Sequence, residues 1–310
     1  MLTNPPLDLL LHPVALAVLG LVIGSFLNVV VHRLPLMMER DWWRDVAGQL
    51  ADADSWRRTF GAKGEPPAAH ALAASGLDKG LDALPALGIA KPRSRCPSCG
   101  RAIAWHENLP LVGWLRLKGR CSGCGARISA RYPFVELLTA VLFAALAWRW
   151  GAQPVVLAWC AAAALLVVLA GIDWDTTLLP DSLTMPLLWG GLVVAALGWT
   201  IPLTTALWGA VAGYLSLWSV YWLFKLTTGK EGMGYGDFKL LAALGAWLGW
   251  QSIIPILVIA SVIGIVVGVA MKARGALREG RYVPFGPFLA GAGLLMMVAG
   301  PSVLELVGWS

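Results

Sequence analysis

The sequence predicts an all-α polytopic membrane protein, and three features of the chain lead to this prediction. Hydrophobic residues make up 58% of the 310 residues, charged residues make up only 14%, and the mean hydropathy is +0.69. Soluble globular proteins have apolar and charged shares of about a half and about a quarter. Long apolar runs recur along the chain, and its 17 Trp residues suit the membrane interface, where indole rings are favoured. An ordinary soluble globule is therefore excluded.

About eight transmembrane helices are expected, because eight apolar runs approach the roughly 17 to 25 residues that cross a bilayer. The first run lacks a basic flank and a small-residue cleavage site, so we expect it to stay in the protein as a span. The sixth run is the shortest and is interrupted by glycine. The predicted spans cover residues 13–32, 133–150, 154–172, 183–200, 203–224, 237–250, 252–271 and 287–308.

Positive charge is concentrated in the segment between the first two spans. Sixteen of the 24 Lys and Arg residues lie between Arg33 and Arg131. The positive-inside rule places this segment in the cytoplasm and the N-terminus outside, in the periplasm. Threading eight spans from that start leaves only Arg149 outside and places Asp173 and Asp237 at the cytoplasmic face. The net charge of +6 thus reflects membrane topology, and no nucleic-acid partner is predicted.

Three regions are predicted along the chain. Residues 1–32 hold the first transmembrane span, residues 33–132 form a cytoplasmic loop, and residues 133–310 form a membrane core with about seven spans. Within the loop, residues 39–90 are rich in Ala, Asp, Arg and Gly and offer little chemistry. Residues 91–131 are expected to form a small subdomain, because they contain four of the five cysteines.

The four loop cysteines form two C-x-x-C pairs, Cys96 with Cys99 and Cys121 with Cys124, and glycine follows each pair. Two such pairs supply the four thiolates that hold structural zinc in tetrahedral geometry. Two disulfides are the alternative, but thiols stay reduced in the cytoplasm. Four thiolates leave no open coordination position, so the metal is expected to stabilise the subdomain without a catalytic role. Cys160 lies in the third span and is expected to pack there.

Acidic residues at the ends of two spans are the candidate catalytic groups. A carboxylate at the edge of a membrane span is costly, which favours a function for it. Asp173, Asp175 and Asp181 fall where the third span ends and the fourth begins. Asp181 suits the N-cap of the next helix, and Asp175 is free to face water. Asp173 lies deepest towards the membrane and is the first predicted catalytic residue.

Asp237 closes a glycine-rich stretch and is the second predicted catalytic residue. Gly234 and Gly236 permit close approach of another chain, so an extended peptide could lie against this backbone. The alternative is a glycine-rich interfacial turn before an N-capping Asp. Two neighbouring carboxylates share a proton, because both cannot ionise at close range. One can take a proton from water while the other donates to a carbonyl oxygen, so Asp173 and Asp237 predict an aspartic protease.

Several motifs occur in a recognisable order over about residues 13–290. They are Gly24-Ser25-Phe26-Leu27-Asn28-Val29-Val30-Val31-His32-Arg33-Leu34-Pro35, the two Cys pairs, Arg131-Tyr132-Pro133-Phe134-Val135-Glu136, Ile172-Asp173 with Leu179-Pro180-Asp181, Gly229-Lys230-Glu231-Gly232-Met233-Gly234-Tyr235-Gly236-Asp237-Phe238-Lys239, and Pro284-Phe285-Gly286-Pro287. In these motifs the chain closely resembles the bacterial type IV prepilin peptidases, which belong to the GxGD aspartic protease group.

The resemblance implies a bifunctional enzyme of the bacterial inner membrane. Such enzymes cleave the basic leader from type IV prepilins and pseudopilins at the cytoplasmic face. They then methylate the new N-terminus with S-adenosylmethionine. In the family pattern, Asp173 and Asp237 correspond to the two catalytic aspartates.

The binding site for S-adenosylmethionine is not evident in the sequence, because no glycine motif of a soluble cofactor-binding fold is present. Ser25, Asn28 and His32 share one face of the first span, where they form either a cofactor or substrate contact or a polar packing seam. Glu136 is either a partner for a loop Arg or a cofactor contact.

Two other functions are the alternatives. A GxGD peptidase without methyltransferase activity would need Asp173 and Asp237 but not the N-terminal motif. A proton-coupled membrane transporter would use its intramembrane acids as a proton relay. Transporters often contain paired internal repeats and bind near the bilayer midplane. Here the acids cluster at one face, and the sequence has no evident repeat.

Overall fold

The computed structural model describes residues 5–61, 68–275 and 283–306, and this part of the chain is built from helices joined by loops. Apart from two isolated β-bridges, its regular structure is helical, which confirms the predicted all-α class. The helices are α1 (Pro5–Leu10), α2 (Pro13–Ala51), α3 (Ala53–Phe60), α4 (Ala68–Asp82), α5 (Val112–Arg116), α6 (Arg131–Trp150), α7 (Val155–Thr176), α8 (Asp181–Ala196), α9 (Leu203–Thr228), α10 (Tyr235–Leu248), α11 (Ile253–Ala273) and α12 (Gly286–Leu306).

Five helical segments in the described residues are long and apolar enough to cross a membrane: α2, α6, α7, α9 and the stretch Trp250–Ala273 that contains α11. The apolar helix α8 and the apolar stretch Gly286–Gly300 are shorter. With 14 residues, α10 is about 21 Å long, less than the roughly 30 Å hydrocarbon core. The chain is therefore a multi-pass membrane protein, and the count of eight spans stays a prediction.

Every predicted span corresponds to a helix, but the first helix is much longer than its span. The span was expected at residues 13–32, whereas α2 continues to Ala51 and contains Pro35. Hydropathy marks where a helix leaves the apolar region, and a helix can continue through a charged segment in water. Residues 307 and 308 of the eighth predicted span lie outside the described residues.

The chain divides into two compact units. One unit comprises Val29–Ala104 and includes the second half of α2. In it the Arg33 guanidinium donates hydrogen bonds to the carbonyl oxygens of Gly88 (2.8 Å) and Pro92 (2.7 Å). These bonds fix the loop after α4 to the long helix. The predicted division at residues 32 and 132 stays a prediction.

The other unit comprises Met1–Asn28 and Trp105–Ser310, and α7 and α10 are its most buried helices. Apart from Lys239, every residue of α10 from Asp237 to Trp247 is buried. The neighbours α8 and α12 each pack against both α7 and α10. Between α9 and α10 the backbones touch, because a Cβ atom at Gly245 would overlap the carbonyl oxygen of Gly209. Such small residues allow close helix packing in membranes.

Candidate active site

Asp173 lies in the last turn of α7 and its side chain is buried, with 5% of the residue exposed. The helix ends just beyond it, where Thr177 adopts the left-handed conformation (φ 56°). The Thr177 amide donates to the Asp173 carbonyl oxygen at 2.8 Å, which completes the last turn. Pro180 follows in an extended conformation, and proline disfavours helix in the residue before it. The sequence therefore ends the helix shortly after the carboxylate.

Asp237 lies in the first turn of α10 and is also buried, with 8% exposed. Gly229 ends α9 in the left-handed conformation (φ 68°), and Gly234 is the N-cap of α10. Asp237 is thus the third residue of the helix. The alternative interpretation of the sequence, in which Asp237 is the N-cap, was wrong. The Asp237 carboxylate interacts with the Gly234 amide, an arrangement typical of the third helical position.

The two carboxylates are close enough to interact electrostatically. They belong to α7 and α10, and both of these helices pack against α8 and against α12. In the described part of the chain, neither Asp173 Oδ2 nor Asp237 Oδ1 has a hydrogen-bond partner, although both atoms are buried. Buried polar atoms are nearly always hydrogen-bonded in native proteins. These two oxygens are therefore available to accept hydrogen bonds from a water molecule or a substrate amide.

The two predicted glycines have different surroundings. A Cβ atom at Gly236 would lie 2.7 Å from Leu179 Cβ, so this glycine permits the approach of the segment between α7 and α8. At Gly234 the nearest side-chain atom would be Asp237 Oδ2 at 3.9 Å. The close approach expected at the glycine motif thus occurs at Gly236, and the approaching group is a residue of the same chain.

The other two acids of the α7–α8 segment form ion pairs. Asp175 accepts a hydrogen bond from Arg131 at 2.6 Å, and Asp181 accepts from Lys239 at 2.7 Å and 2.8 Å. Asp181 is the first residue of α8, whose N-cap is Pro180, so the expected N-cap role was wrong. Both partners are distant in sequence, and no local pattern could have identified them.

A cluster at the end of α9 holds the loop that leads to Asp237. Lys225 donates to Glu231 in this loop at 2.8 Å and to the Tyr221 hydroxyl at 3.2 Å. Tyr235, at the start of α10, places its ring 5.2 Å from that of Tyr221. The hydrogen bond from Lys225, followed by that from Tyr221, lowers the pKa of Glu231 below its ordinary value. We name these four residues the loop latch.

The two C-x-x-C segments fold alike. In the first segment, the Cys96 amide donates to the carbonyl oxygen of Arg101, and the Gly100 amide donates to that of Cys96. In the second segment, the Cys121 amide donates to the carbonyl oxygen of Ala126, and the Gly125 amide donates to that of Cys121. Gly100 and Gly125 take left-handed conformations (φ 70° and 71°).

The structure brings the four loop cysteines together. The Sγ atoms of Cys96, Cys99, Cys121 and Cys124 all lie within 4.8 Å of one another, and none of the five cysteines forms a disulfide. Four converging thiols are a donor set that can hold a metal ion. Cys160 is buried in α7, apart from this group.

Residues 18–150 match the family described as the bacterial peptidase A24 N-terminal domain, and residues 160–269 match the type IV leader peptidase family. The prepilin leader peptidase/N-methyltransferase of Aeromonas hydrophila is 47% identical over 92% of this chain and 89% of its own length. The chain belongs to this leader peptidase family.

Other relatives with the same name cover similar lengths. The Pseudomonas aeruginosa protein is 45% identical over 96% of both chains, and the Burkholderia pseudomallei protein is 45% identical over 94% of this chain and 86% of its own. No solved structure matches the chain. The predicted enzyme class, a leader peptidase that is also an N-methyltransferase, is confirmed.

In this leader peptidase, Asn28 of the N-terminal motif and Glu136 of α6 make internal contacts. Asn28 donates to the carbonyl oxygens of Gly24 (3.2 Å) and Tyr132 (3.1 Å). Glu136 is buried and accepts from the Leu111 amide at 2.7 Å, so it holds a loop backbone rather than a loop arginine. These bonds favour the packing interpretation for Asn28.

Proposed function

We propose that Asp173 and Asp237 are the catalytic pair that hydrolyses the leader peptide bond. The observation that carries this proposal is the convergence of two buried carboxylates, from different helices, that interact electrostatically and each present an unpartnered oxygen. The ion pairs of Asp175 and Asp181 leave those acids less suited to the role. Acids beside a GxGD glycine motif are also what the family resemblance implies.

The reaction needs only water and the two carboxyl groups. The ionised carboxylate accepts a proton from water as the water oxygen adds to the scissile carbonyl carbon. The protonated partner donates its proton to the carbonyl oxygen, which gives a neutral tetrahedral intermediate. Breakdown of the intermediate breaks the C–N bond and transfers a proton to the leaving nitrogen. The leader leaves with a carboxylate, and the mature chain gains an amino terminus.

The substrates we propose are type IV prepilins and pseudopilins. The names of the relatives contain the word prepilin, and the family resemblance implies the pseudopilins. The concentration of Lys and Arg between Arg33 and Arg131 favours a cytoplasmic position for that segment in the bacterial inner membrane. A periplasmic N-terminus follows from the same rule. A substrate with a basic leader and an apolar helix would keep its leader in the cytoplasm, so its scissile bond would meet both acids at that face.

The second proposed step transfers a methyl group from S-adenosylmethionine to the new amino terminus. The nitrogen must lose a proton before it can attack the methyl carbon, and the sulfonium becomes a neutral thioether. This step rests on the names of the relatives, because the described contacts do not identify a binding site for the methyl donor.

The four loop cysteines are proposed to bind structural zinc. Their sulfur atoms fit the four-thiolate donor set, and zinc bound there would crosslink the two C-x-x-C segments. Cys96→Ser or Cys121→Ser is expected to lose the metal and lower the melting temperature, since structural zinc contributes directly to folding. Elemental analysis of the purified protein measures the metal. Cys160→Ala is the control and should keep it, and full zinc content in the two Ser variants would rule out the four-thiolate site.

The catalytic pair is tested with Asp173→Asn and Asp237→Asn in purified full-length protein. Each variant is expected to lose cleavage by roughly 10²- to 10⁴-fold or more, since each removes a proton-transfer group. Asp175→Asn is the matched control, two residues along the same helix. Each protein is incubated with a prepilin, with and without S-adenosylmethionine. Mass spectrometry of the product then measures loss of the leader and gain of a methyl group.

Each result of this assay has a distinct meaning. Leader loss with a methyl mass in the wild type supports both activities, while leader loss alone indicates a peptidase without methyl transfer. Normal cleavage by either Asn variant rejects the pair. An intact prepilin with the wild-type protein would return the proton-coupled transporter to consideration.

A further inference from the structure

The segment Pro284-Phe285-Gly286-Pro287 lies at the start of α12 and takes no part in the proposed proton transfers. The first residue of that helix, Gly286, lies against the Asp173 carboxylate. Its backbone amide interacts with this carboxylate. A Cβ atom at Gly286 would lie 2.5 Å from Asp173 Oδ2 and 3.2 Å from Leu179 Cδ1.

Leu179 links this contact to the glycine motif before Asp237. A Cβ atom at Gly236 would lie 2.7 Å from Leu179 Cβ and 3.2 Å from Leu179 Cδ1, and a Cβ atom at Gly286 would lie 3.2 Å from the same Cδ1 atom. A single side chain therefore separates the two glycines, and each glycine lies beside one of the two carboxylates. A side chain at residue 286 would therefore take the space of the Asp173 carboxylate, and a side chain at residue 236 would displace Leu179.

We propose that Gly286 is a positioning residue for catalysis, one that sets the orientation of the Asp173 carboxylate through its backbone and its lack of a side chain. The proposal rests on the proposed catalytic pair. Gly286 would act through its contact with the Asp173 carboxylate. Leu179 acts as a spacer in the same arrangement, since it limits how closely Gly286 and Gly236 approach.

The atoms around Gly286 distinguish this role from ordinary helix packing. The nearest atoms to a Cβ at Gly286 are the ends of the Asp173 and Leu179 side chains, which can turn. A Cβ at Gly245 would instead meet the backbone of α9, which can move only if the helices separate. The φ angle of Gly286 is also outside the left-handed region, so alanine fits its backbone. Alanine at this position should therefore rotate the carboxylate and leave the fold intact.

The test is Gly286→Ala, compared with Gly291→Ala in the same helix. A Cβ at Gly291 would meet no atom within 4 Å, so its substitution adds the same methyl group without the contact. We expect Gly286→Ala to lower kcat for leader cleavage by roughly 10- to 100-fold, since misplacing a catalytic group by about 1 Å can cost about 10²-fold. KM should change less than about twofold, because the remaining substrate contacts are unaltered.

Two further measurements separate positioning from folding. The melting temperature of Gly286→Ala, and its methyl transfer to a pilin that already lacks its leader, should match those of the wild type. A wild-type kcat for Gly286→Ala would overturn the proposal, and so would an equal loss of kcat in Gly291→Ala. If Asp173→Asn or Asp237→Asn still cleaves, the catalytic pair itself fails, whatever Gly286→Ala does.

If too little folded Gly286→Ala is recovered, Leu179→Ala tests the same contact without added atoms. It removes the spacer, so the two carboxylates lose their fixed arrangement, and kcat should fall about tenfold with KM unchanged. An unaltered kcat in folded Leu179→Ala would overturn the arrangement proposed for Gly286.

Discussion

Asp173 and Asp237 lie at opposite ends of their helices, and the structure holds the two ends by different means. Asp173 is in the last turn of a 22-residue helix, and the groups around it are packed side chains and the Gly286 backbone. Asp237 is in the first turn of a 14-residue helix, after a loop fixed by the loop latch. The position of Asp173 therefore depends on close packing, and the position of Asp237 depends on several weak polar and aromatic contacts.

This difference predicts how each end responds to mutation. In close packing a single added methyl group displaces its neighbours, because dense interiors have no room to absorb it; a side-chain end can turn aside, whereas a backbone cannot. A set of weak exposed contacts fails gradually, because an exposed ion pair such as that of Lys225 with Glu231 contributes little alone. The largest effects are therefore expected where backbones or buried groups touch, and the smallest in the loop latch.

The largest effect on stability is expected within α10, which packs closely against α9. Gly245→Ala would force α9 and α10 apart, since its methyl group would overlap the Gly209 backbone. Overpacking costs about 1–3 kcal/mol, and a contact between two backbones should reach the upper end of that range. Thermal unfolding in detergent should show a lower melting temperature and little folded protein. Gly190→Ala is the control, with its nearest atom at 3.6 Å, and equal stability of the two variants would contradict the prediction.

An intermediate effect is expected at the ion pair between Lys239 and Asp181. It joins α8 to α10 two residues beyond Asp237, and Asp181 is 61% exposed at its side chain. Lys239→Met should therefore cost at most about 1 kcal/mol of stability and lower kcat a few-fold. Asp181→Asn should match it, and the double variant should lose no more than either single change. Lys230→Met, in the neighbouring loop, should leave kcat unchanged; additive losses in the double variant would show that the pair does not act as a unit.

The smallest effect is expected at Glu231 of the loop latch. Glu231→Gln should lower kcat about twofold or less at neutral pH, since the exposed pair with Lys225 contributes little. Because the pKa of Glu231 is lowered, its contribution is present above the ordinary pKa of glutamate and is lost as pH falls through the lowered value. Stability curves of wild type and Glu231→Gln should thus converge at acid pH. A difference that grows on acidification would contradict this assignment.

Much of the architecture followed from local patterns in the sequence. Apolar runs located the membrane helices, and the C-x-x-C spacing located the four thiols that the structure brings within 4.8 Å. Asp173 was chosen from three acids by its depth, and the structure buries it while Asp175 and Asp181 form exposed ion pairs. Hydropathy could make that choice because burial depends on the neighbouring residues along the helix.

Contacts between distant segments could not be predicted in this way. The ion pair of Asp181 with Lys239 joins two helices, and a capping preference was the only local signal at Asp181. The contact between Gly286 and Asp173 depends on how α12 packs against α7. The length of α2 was also missed, because charged residues after residue 32 do not stop a helix that extends into water.

The contact between Gly286 and Asp173 also has a consequence for biosynthesis. A ribosome completes α7 and α10, and with them both aspartates, well before it reaches α12. Until α12 emerges and inserts, Asp173 lacks the backbone that orients it. A nascent chain would therefore carry both acids in an immature arrangement, and peptidase activity would begin only when the last described helix has joined the bundle.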